Sequence, residues 1–373
     1  MIPHAQFLPF YLPLSFYSTL SLIFGILTYH YLSCALFLMC ISIVFLFFIT
    51  LTQLKKYPLN HFLIVFLYGS FFLGILNLWY HNQWQKQTIP FTTQHATGTI
   101  VDYIKTGNPL WPHRLTVLIT KTTTGVIVSN IQCPIFIYTK NSPTVFIDDH
   151  IIINNCTIKQ PAQNNFSLYL RKEGVLSTLF IPFFKPDITR NSHYSIKKNL
   201  FKLQNFINES ARSSLSPITY ALFCSLFLGD KGSGKSTLEN HSHHFQEWGI
   251  AHQLAKSGFH LIIFIMVWTL FFSFIPFNFK IKHSLIILLC SCYYLLTPHS
   301  ISFSRSFYLF LGSRLLQIFE WQAHTINILS LICYATLLLN PYTLFGLDFQ
   351  LSFYLTFCLS WIAQLDRQKR ILI

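Results

Sequence analysis

Apolar residues form two long blocks that flank a more polar middle. Residues 1–85 and 217–373 are rich in Leu, Ile, Phe and Tyr, whereas residues 90–216 carry many of the polar side chains. About 20 apolar residues suffice to cross the hydrocarbon core of a bilayer. The first block contains three runs without Lys, Arg, Asp or Glu, at 11–27, 31–51 and 61–80. It is therefore predicted to be a set of N-terminal transmembrane segments.

The second block predicts further apolar helices, several of them short. Segments of 11–15 residues are typical of re-entrant or tilted pieces that pack among other helices. Prolines at positions 276, 298 and 341 fall at the edges of these segments, where a helix can end. The predicted segments are 218–228, 259–275, 284–296, 307–319, 326–339 and 344–363.

Two lysines suggest how the chain is oriented. Lys55 and Lys56 lie between the second and third predicted spans. Short loops rich in Lys and Arg face the cytoplasm. The third span then leads outward, and the polar middle is predicted to lie outside the cytoplasm.

The polar middle has the pattern of a small β domain followed by a helix. Short runs rich in Val, Ile and Thr alternate with Gly, Pro, Asn and Asp. Within residues 90–190 this predicts a small sandwich or barrel, with an OB-like barrel as the natural candidate. Residues 193–216 have helical periodicity and predict an amphipathic helix. The predicted strands are 97–104, 115–122, 125–128, 135–139, 145–147 and 150–158.

Composition narrows the class of protein. Hydrophobic residues make up 52% of the 373 positions and charged residues only 10%, against roughly 25% charged in soluble domains. So apolar a chain is predicted to be a polytopic α-helical membrane protein with an inserted extracytoplasmic β domain.

Positive charge is concentrated in the middle of the chain. The formal net charge is +14, and residues 91–216 hold 13 Lys and Arg against 6 Asp and Glu. A basic β domain with exposed aromatic rings is suited to binding single strands; equally, the aromatic residues could fill its core. The candidate basic residues are Lys105, Arg114, Lys121, Lys140, Lys197 and Lys198, and the candidate rings are Tyr103, Trp111, Phe136 and Tyr138.

Two motifs with possible chemistry are interpreted as coincidental. Residues 229–236 read GDKGSGKS and satisfy the phosphate-loop pattern, but an apolar membrane-type run precedes them and no apolar helix face follows. The histidines at 241, 243, 244, 252 and 260 have no recognisable zinc spacing. We therefore predict no cofactor, no bound metal and no enzymatic activity.

A stretch at the start of one apolar run carries a specific resemblance. Residues 248–260 read WGIAHQLAKSGFH, which resembles the signature of the ComEC/Rec2 competence family of bacterial inner-membrane proteins. Residues 228–230 (LGD) and 348–353 (DFQLSF) resemble two further family elements, and 165–175 resembles the exit from its OB-like domain. The family has a P-G-D turn near the end of this domain. In this chain Asp149 takes the place of its aspartate, and Asp148 stands where the family has glycine.

The resemblance implies a function in DNA uptake. It implies a multi-pass protein of the bacterial inner membrane that contributes a channel for single-stranded DNA during natural transformation. Many members continue into a metallo-β-lactamase-like domain that carries a His-x-His-x-Asp-His metal motif. This motif has no match here, and the competence-type domain is therefore expected to be a truncated form. The expected partners are single-stranded DNA and the lipid bilayer. Further candidate partners are a separate nuclease and a cytoplasmic helicase or translocase, and the chain could also form a homo-oligomer. Three alternatives stay open: a membrane transporter of another solute, a degenerate or short relative without uptake activity, or a nucleotide-driven enzyme that uses residues 229–236.

The resemblance also points to residues that could line the path of the strand. Polar groups at membrane depth are costly and are therefore functional candidates. The alternative is a structural role, in which the cationic side chains among these candidates pair with Glu320 and Asp348 and hold helices together. The candidates are His252, Lys256, Ser257, Gly258, His260, Gly229, Asp230, Arg305, Gln350 and Ser352, with Arg314 as a further cation.

Two cysteines fall in the predicted external domain. Cys133 and Cys156 lie there, whereas the other seven lie in apolar segments. An oxidising compartment permits disulfides, and we therefore hypothesise a Cys133–Cys156 bond.

Overall fold

The computed structural model describes the chain in two units. The described residues are 14–31, 59–85, 92–106, 108–124, 127–142, 145–157, 165–184, 187–189, 196–228, 258–297, 300–321 and 324–372. The first unit comprises residues 1–86 with 315–373, and the second comprises residues 87–314. Most of the described residues are helical, and one small sheet lies in the second unit.

Helices carry the apolar blocks, and strands carry the polar middle. The strands are β1 (Thr92–Lys105), β2 (His113–Thr124), β3 (Ile127–Thr139), β4 (His150–Thr157), β5 (Ser177–Phe180) and β6 (Asp187–Thr189). The helices up to the middle of the chain are α1 (Leu14–Tyr31), α2 (Leu59–Gln85), α3 (Asn165–Lys172), α4 (Ile196–Ser214) and α5 (Pro217–Phe223), which continues as a π turn (Cys224–Leu228). The later ones are α6 (Gly258–Ser273), α7 (Phe279–Leu296), α8 (Ile301–Ile318), α9 (Thr325–Leu339), a 3-10 turn (Pro341–Phe345) and α10 (Leu347–Leu372).

Glycines bring α1 and α2 of the first unit close together. A Cβ atom on Gly25 would overlap the carbonyl oxygen of Phe71, and one on Gly74 would overlap that of Leu22. Small residues of this kind let helix backbones approach closely in apolar surroundings. A hydrogen bond connects a third helix, α9, to α1: Thr19 Oγ1 donates to the carbonyl oxygen of Ser330 at 3.0 Å.

Length and hydropathy single out α7 as a candidate membrane span. Among the described residues, Phe279–Leu296 is the one helix long and apolar enough to cross a bilayer by these two criteria, while Pro217–Leu228, Gly258–Ser273 and Thr325–Leu339 are shorter apolar helices. The predicted runs 11–27 and 61–80 coincide largely with α1 and α2, and the run 31–51 lies outside the described residues.

The sheet of the second unit is open. Its strand order is β5-β3-β2-β1-β4-β6, with β3 and β5 parallel and the other neighbours antiparallel. The predicted OB-like barrel is therefore not supported, because the sheet formed by the described residues does not close. A barrel requires the two outer strands to pair, and here the outer strands, β5 and β6, are short pieces at opposite edges of the sheet.

Individual strand predictions differ from the structure in two places. The predicted strands 125–128 and 135–139 belong to one long strand, β3. Residues 145–147 are not a strand, because they lead into a turn in which Asp148 adopts a φ of 68°. One face of the sheet packs its Ile, Leu and Val side chains into a core, which includes Ile100, Leu115 and Ile135.

The strand order also argues against the hypothesised disulfide. Cys133 on β3 pairs with Ile119 on β2, whereas Cys156 on β4 pairs with Thr93 on β1. Two strands thus lie between them, which places their Cα atoms at least about 14 Å apart at ~4.8 Å per strand. Disulfide-bonded cysteines need Cα atoms within ~7 Å. Cys133 is accordingly a free, buried thiol, and burial raises its pKa to about 12.

Candidate nucleic-acid interface

One row of side chains crosses the sheet on the face opposite its core. Arg114 of β2 pairs with Tyr138 of β3, and Tyr138 pairs with Phe180 of β5. Side chains alternate along a strand, so these three stand on the same face while their neighbours Leu115, Ile137 and Leu179 point into the core. The pairing therefore places one cation beside two rings.

Further side chains extend this row at the β5 edge. The Tyr138 and Phe180 rings are stacked, with centroids 5.0 Å apart and planes at 13°. Trp111 packs on Phe180 with centroids 5.1 Å apart, and Lys140 Nζ lies 5.7 Å from the centroid of Trp111. We call Lys140, Trp111, Phe180, Tyr138 and Arg114 the basic–aromatic row. Phe180 is 50% exposed, so its ring can be reached from solvent.

Helix α3 supports the arginine end of the row. The Arg114 guanidinium lies 4.2 Å from the centroid of Phe136, and its Nη1 donates a 2.9 Å hydrogen bond to Tyr169 Oη. Tyr169 is stacked in turn with Phe166, and both rings are more than a third exposed. Arg114 is thereby held in one orientation between the sheet and α3.

Electrostatics keep this end of the row cationic. Burial lowers the pKa of Arg114, but Tyr169, Tyr138 and Glu173 outweigh that effect and raise it overall. Burial is also the main cause of a raised pKa at Tyr138, so its phenol stays neutral at physiological pH. The arrangement offers a fixed positive charge next to neutral rings, which is the combination that binds phosphates and stacks bases.

The structure separates the basic residues selected from the sequence. Arg114 and Lys140 belong to the row, whereas Lys121 is exposed near the far end of β2. Lys198 Nζ lies 3.7 Å from Asp149 Oδ1 in an ion pair. The remaining two, Lys105 at the end of β1 and Lys197 on α4, lie elsewhere in the second unit.

The aromatic residues selected from the sequence divide between the two faces. Trp111 and Tyr138 belong to the row, but Phe136 is only 2% exposed, which is the role of a core residue. Tyr103 points to the other face and stacks on His113. Phe180 was missed, because its position depends on the parallel pairing of a four-residue edge strand, and only its alternation with Leu179 hinted at it.

Only part of the signature region lies within the described residues. Gly229, Asp230, His252, Lys256 and Ser257 fall outside them. Gly258 begins α6 against Ser306 of α8, and His260, two residues further along the same helix, is buried. Arg305 lies on α8 beside Ser306, and Arg314 Nη1 lies 3.4 Å from His283 Nδ1.

Two other predicted path residues belong to the first unit. Gln350 and Ser352 lie on α10, and Gln350 Nε2 donates to the carbonyl oxygen of Leu344 at 2.9 Å. Gln350 borders a cavity of about 610 Å³ between α1, α9 and α10, with otherwise mainly apolar walls such as Phe16 and Phe353. Among the predicted path residues, Gly258 packs against Ser306 of α8, the residue that follows Arg305 in the sequence.

The described part of the chain is mostly helical, with one helix that has the length and hydropathy of a membrane span and one small sheet that carries the basic–aromatic row. Comparison with known families gives the class a name: residues 226–371 match the family model described as Competence protein. Residues 226–371 are therefore similar to the competence family, and the resemblance seen in the signature is confirmed. Searches of curated proteins and of solved structures give no match.

Proposed function

We propose that this chain binds single-stranded DNA on the basic–aromatic row and contributes to its passage through the membrane. The match of residues 226–371 to the competence family model supports the coarser statement, a role in competence and DNA uptake. The stacked, half-exposed Phe180 between Trp111 and Tyr138, with Lys140 and Arg114 at its sides, is the observation that carries the finer one.

The row matches the chemistry of a single strand and not that of a duplex. A base can stack on Phe180 only when its face is free, and in a duplex the faces are occupied by neighbouring base pairs. Lys140 and Arg114, at the sides of the rings, can then attract the phosphates that flank the stacked base. Nothing in the row reads base edges, so binding is expected to tolerate any sequence.

In this proposal the apolar helices carry the strand onward as a multi-pass domain of the inner membrane. The polar groups of the competence-family region, such as Arg305 and Gln350, are the candidates to line the path. The chain supplies binding and passage, and a separate nuclease, helicase or translocase supplies chemistry and force. Association of several copies is a further candidate arrangement for the channel.

Binding of short fluorescent oligonucleotides by the purified full chain tests the proposal. Substituting Phe180→Ala should weaken single-strand binding by about 1–3 kcal/mol, the range for one base stacked on an aromatic ring. Phe180→Tyr should retain binding, since it keeps the ring. Lys140→Ala should reduce the slope of log affinity against log salt by about 0.7, as expected for one lost phosphate contact on a single strand.

Lys121→Ala is the matched control for charge. Lys121 is exposed on β2, seven residues from Arg114, which is about 23 Å along the strand. We expect its loss to leave affinity and salt slope unchanged. Equal effects of Lys140→Ala and Lys121→Ala, or equal affinity for single and double strands, would contradict binding at the row.

A further inference from the structure

Helix α4 turns its polar side to the protein. Phe201 packs its ring edge-on against Tyr103 at 6.2 Å, and Lys198 forms the ion pair with the fully buried Asp149. Asn208 Oδ1 accepts a 2.8 Å hydrogen bond from Tyr220 Oη. At 100° per residue, Lys198, Phe201 and Asn208 share one side of the helix, and this side makes these three contacts.

The opposite side of α4 is apolar and exposed. Ile196, Leu200, Leu203 and Ile207 follow the helical repeat, with Phe206 at their border; we call these five residues the apolar face of α4. Ile196 is 69% exposed, Leu203 45% and Phe206 66%, and none of the 19 residues of α4 is buried. A surface helix of a soluble protein packs the other way, with its apolar stripe toward the core. The exposed stripe must therefore meet an apolar surrounding outside the unit.

We propose that α4 lies flat in the membrane interface, with its apolar face immersed among the lipid acyl chains. Lys197 and Lys202 stand at the two borders of that face, where long side chains can reach anionic head groups. Four cations, Lys197, Lys198, Lys202 and Arg212, face a single acidic residue on this helix, Glu209. This charge pattern complements an anionic lipid surface.

The position of α4 in the second unit supports a lipid occupant over a protein one. Ser216 caps α5 two residues after α4 ends, so the helix leads directly into the apolar segment Pro217–Leu228. Helix α4 also contacts α7, the described helix with the length and hydropathy of a span. Helix α4 thus adjoins two apolar segments of the membrane type, α5 and α7. In this proposal it lies at the level of the bilayer surface.

Interfacial binding of α4 would tether the β domain to the membrane. Asp149 belongs to the turn before β4, and its Oδ2 accepts from the Phe146 backbone N–H at 2.9 Å while Oδ1 faces Lys198. The turn therefore joins the sheet to α4 through a buried carboxylate. The domain that carries the basic–aromatic row would then be held at the lipid surface and not on a free linker.

Photo-crosslinking in the full chain tests this proposal. The photoreactive residue p-benzoylphenylalanine replaces Phe206, and in a second variant Leu203, in the chain reconstituted in vesicles of phosphatidylethanolamine and phosphatidylglycerol. Glu209 is the matched control position, because it is exposed on the polar side of the same helix. We expect lipid adducts, identified by mass, at positions 206 and 203 at roughly ten times the yield at 209, as for an apolar face buried in the interface.

Three outcomes would overturn the proposal: a crosslinked dimer, an adduct with another part of the chain in place of lipid, or equal lipid yields at 206, 203 and 209. The use of two apolar positions protects against a variant that fails to fold. The result is independent of DNA binding, which is measured on the same vesicles and depends on the row.

Discussion

At the scale of single residues, Arg114 shows how a charge is kept available beside buried rings. Its guanidinium has the Phe136 ring on one side and the Tyr169 hydroxyl at its tip. Rings and hydroxyls hold an arginine in place without neutralising it, whereas a carboxylate partner would compete with phosphate. Asp102 is the nearby acid, and its ionisation lowers the net positive charge around Arg114.

Asp102 gives a prediction for pH dependence. Burial raises its pKa above 3.8, and this outweighs a backbone hydrogen bond from Tyr103 and the attraction of Arg114 and Lys197. The folded state thus binds the proton more tightly than the unfolded state, so Asp102 destabilises the fold increasingly as pH rises from about 3.8 through the raised pKa. Asp102→Asn keeps the acceptor for the Tyr103 N–H and removes this cost.

The measurement is the apparent melting temperature of the full chain in detergent between pH 4 and pH 7. The gain from Asp102→Asn should be largest at pH 7 and should shrink toward pH 4. Asp187→Asn, at an exposed position of β6, controls for the loss of one charge. A gain that is constant with pH, or largest at pH 4, would contradict the sign of the shift.

Two neighbouring aromatic residues show what the sequence could predict at this scale. Phe136 and Tyr138 alternate with core residues and were both candidate rings. The structure buries Phe136 because α3 covers it through Leu170, while Tyr138 stays half-buried at the edge of that cover. Alternation predicts the shared face, but the helix that covers half of it arrives from residues 165–172, which no local pattern reveals.

At the scale of elements, α6 and α8 pack closely because residue 258 has no side chain. A Cβ atom at Gly258 would collide with Oγ of Ser306 and lie 3.0 Å from its Cβ. Gly258→Ala should destabilise the full chain by about 1–3 kcal/mol, the usual cost of overpacking. Adding Ser306→Ala should recover part of that loss, because it removes the atom that collides.

Gly69 on α2 is the matched control. An added Cβ atom there meets nothing within 4 Å. Gly69→Ala should be neutral or stabilising by up to ~1 kcal/mol, since alanine is the better helix former. Thermal unfolding followed by helical circular dichroism compares the two. A loss at Gly69 equal to that at Gly258, or no rescue by Ser306→Ala, would refute close packing at the signature glycine.

The sheet shows where prediction of elements succeeds and fails. Val, Ile and Thr runs located β1, β2 and β4 within a few residues, because strand formation follows a local period of two. The barrel is not supported by the described strands, and the Cys133–Cys156 bond is contradicted by them. Both predictions depend on which strands are neighbours, which no local pattern gives. At the turn before β4, Asp148 adopts the left-handed backbone at the glycine place of the family pattern, which Asp tolerates better than most residues.

At the scale of the whole molecule, the charge surplus gains a structural meaning. Part of the excess of Lys and Arg in the middle of the chain lies in a row that faces outward from the sheet, and another part lies on a helix whose cations border an apolar face. The sequence could predict the apolar helical blocks and the resemblance to the competence family, because hydropathy and signature are local. It could not separate the two basic surfaces, because residues from β2, β3, β5 and α4 meet only in the fold.

The most direct test of the account is uptake of labelled DNA by cells that lack this gene. The wild-type chain should restore uptake, and a chain with Phe180→Ala and Lys140→Ala, present at the same level in the membrane, should restore much less. The chain with Lys121→Ala should restore uptake fully. If uptake is unchanged when the gene is deleted, or if the double variant restores it as well as the wild type, the central claim is contradicted.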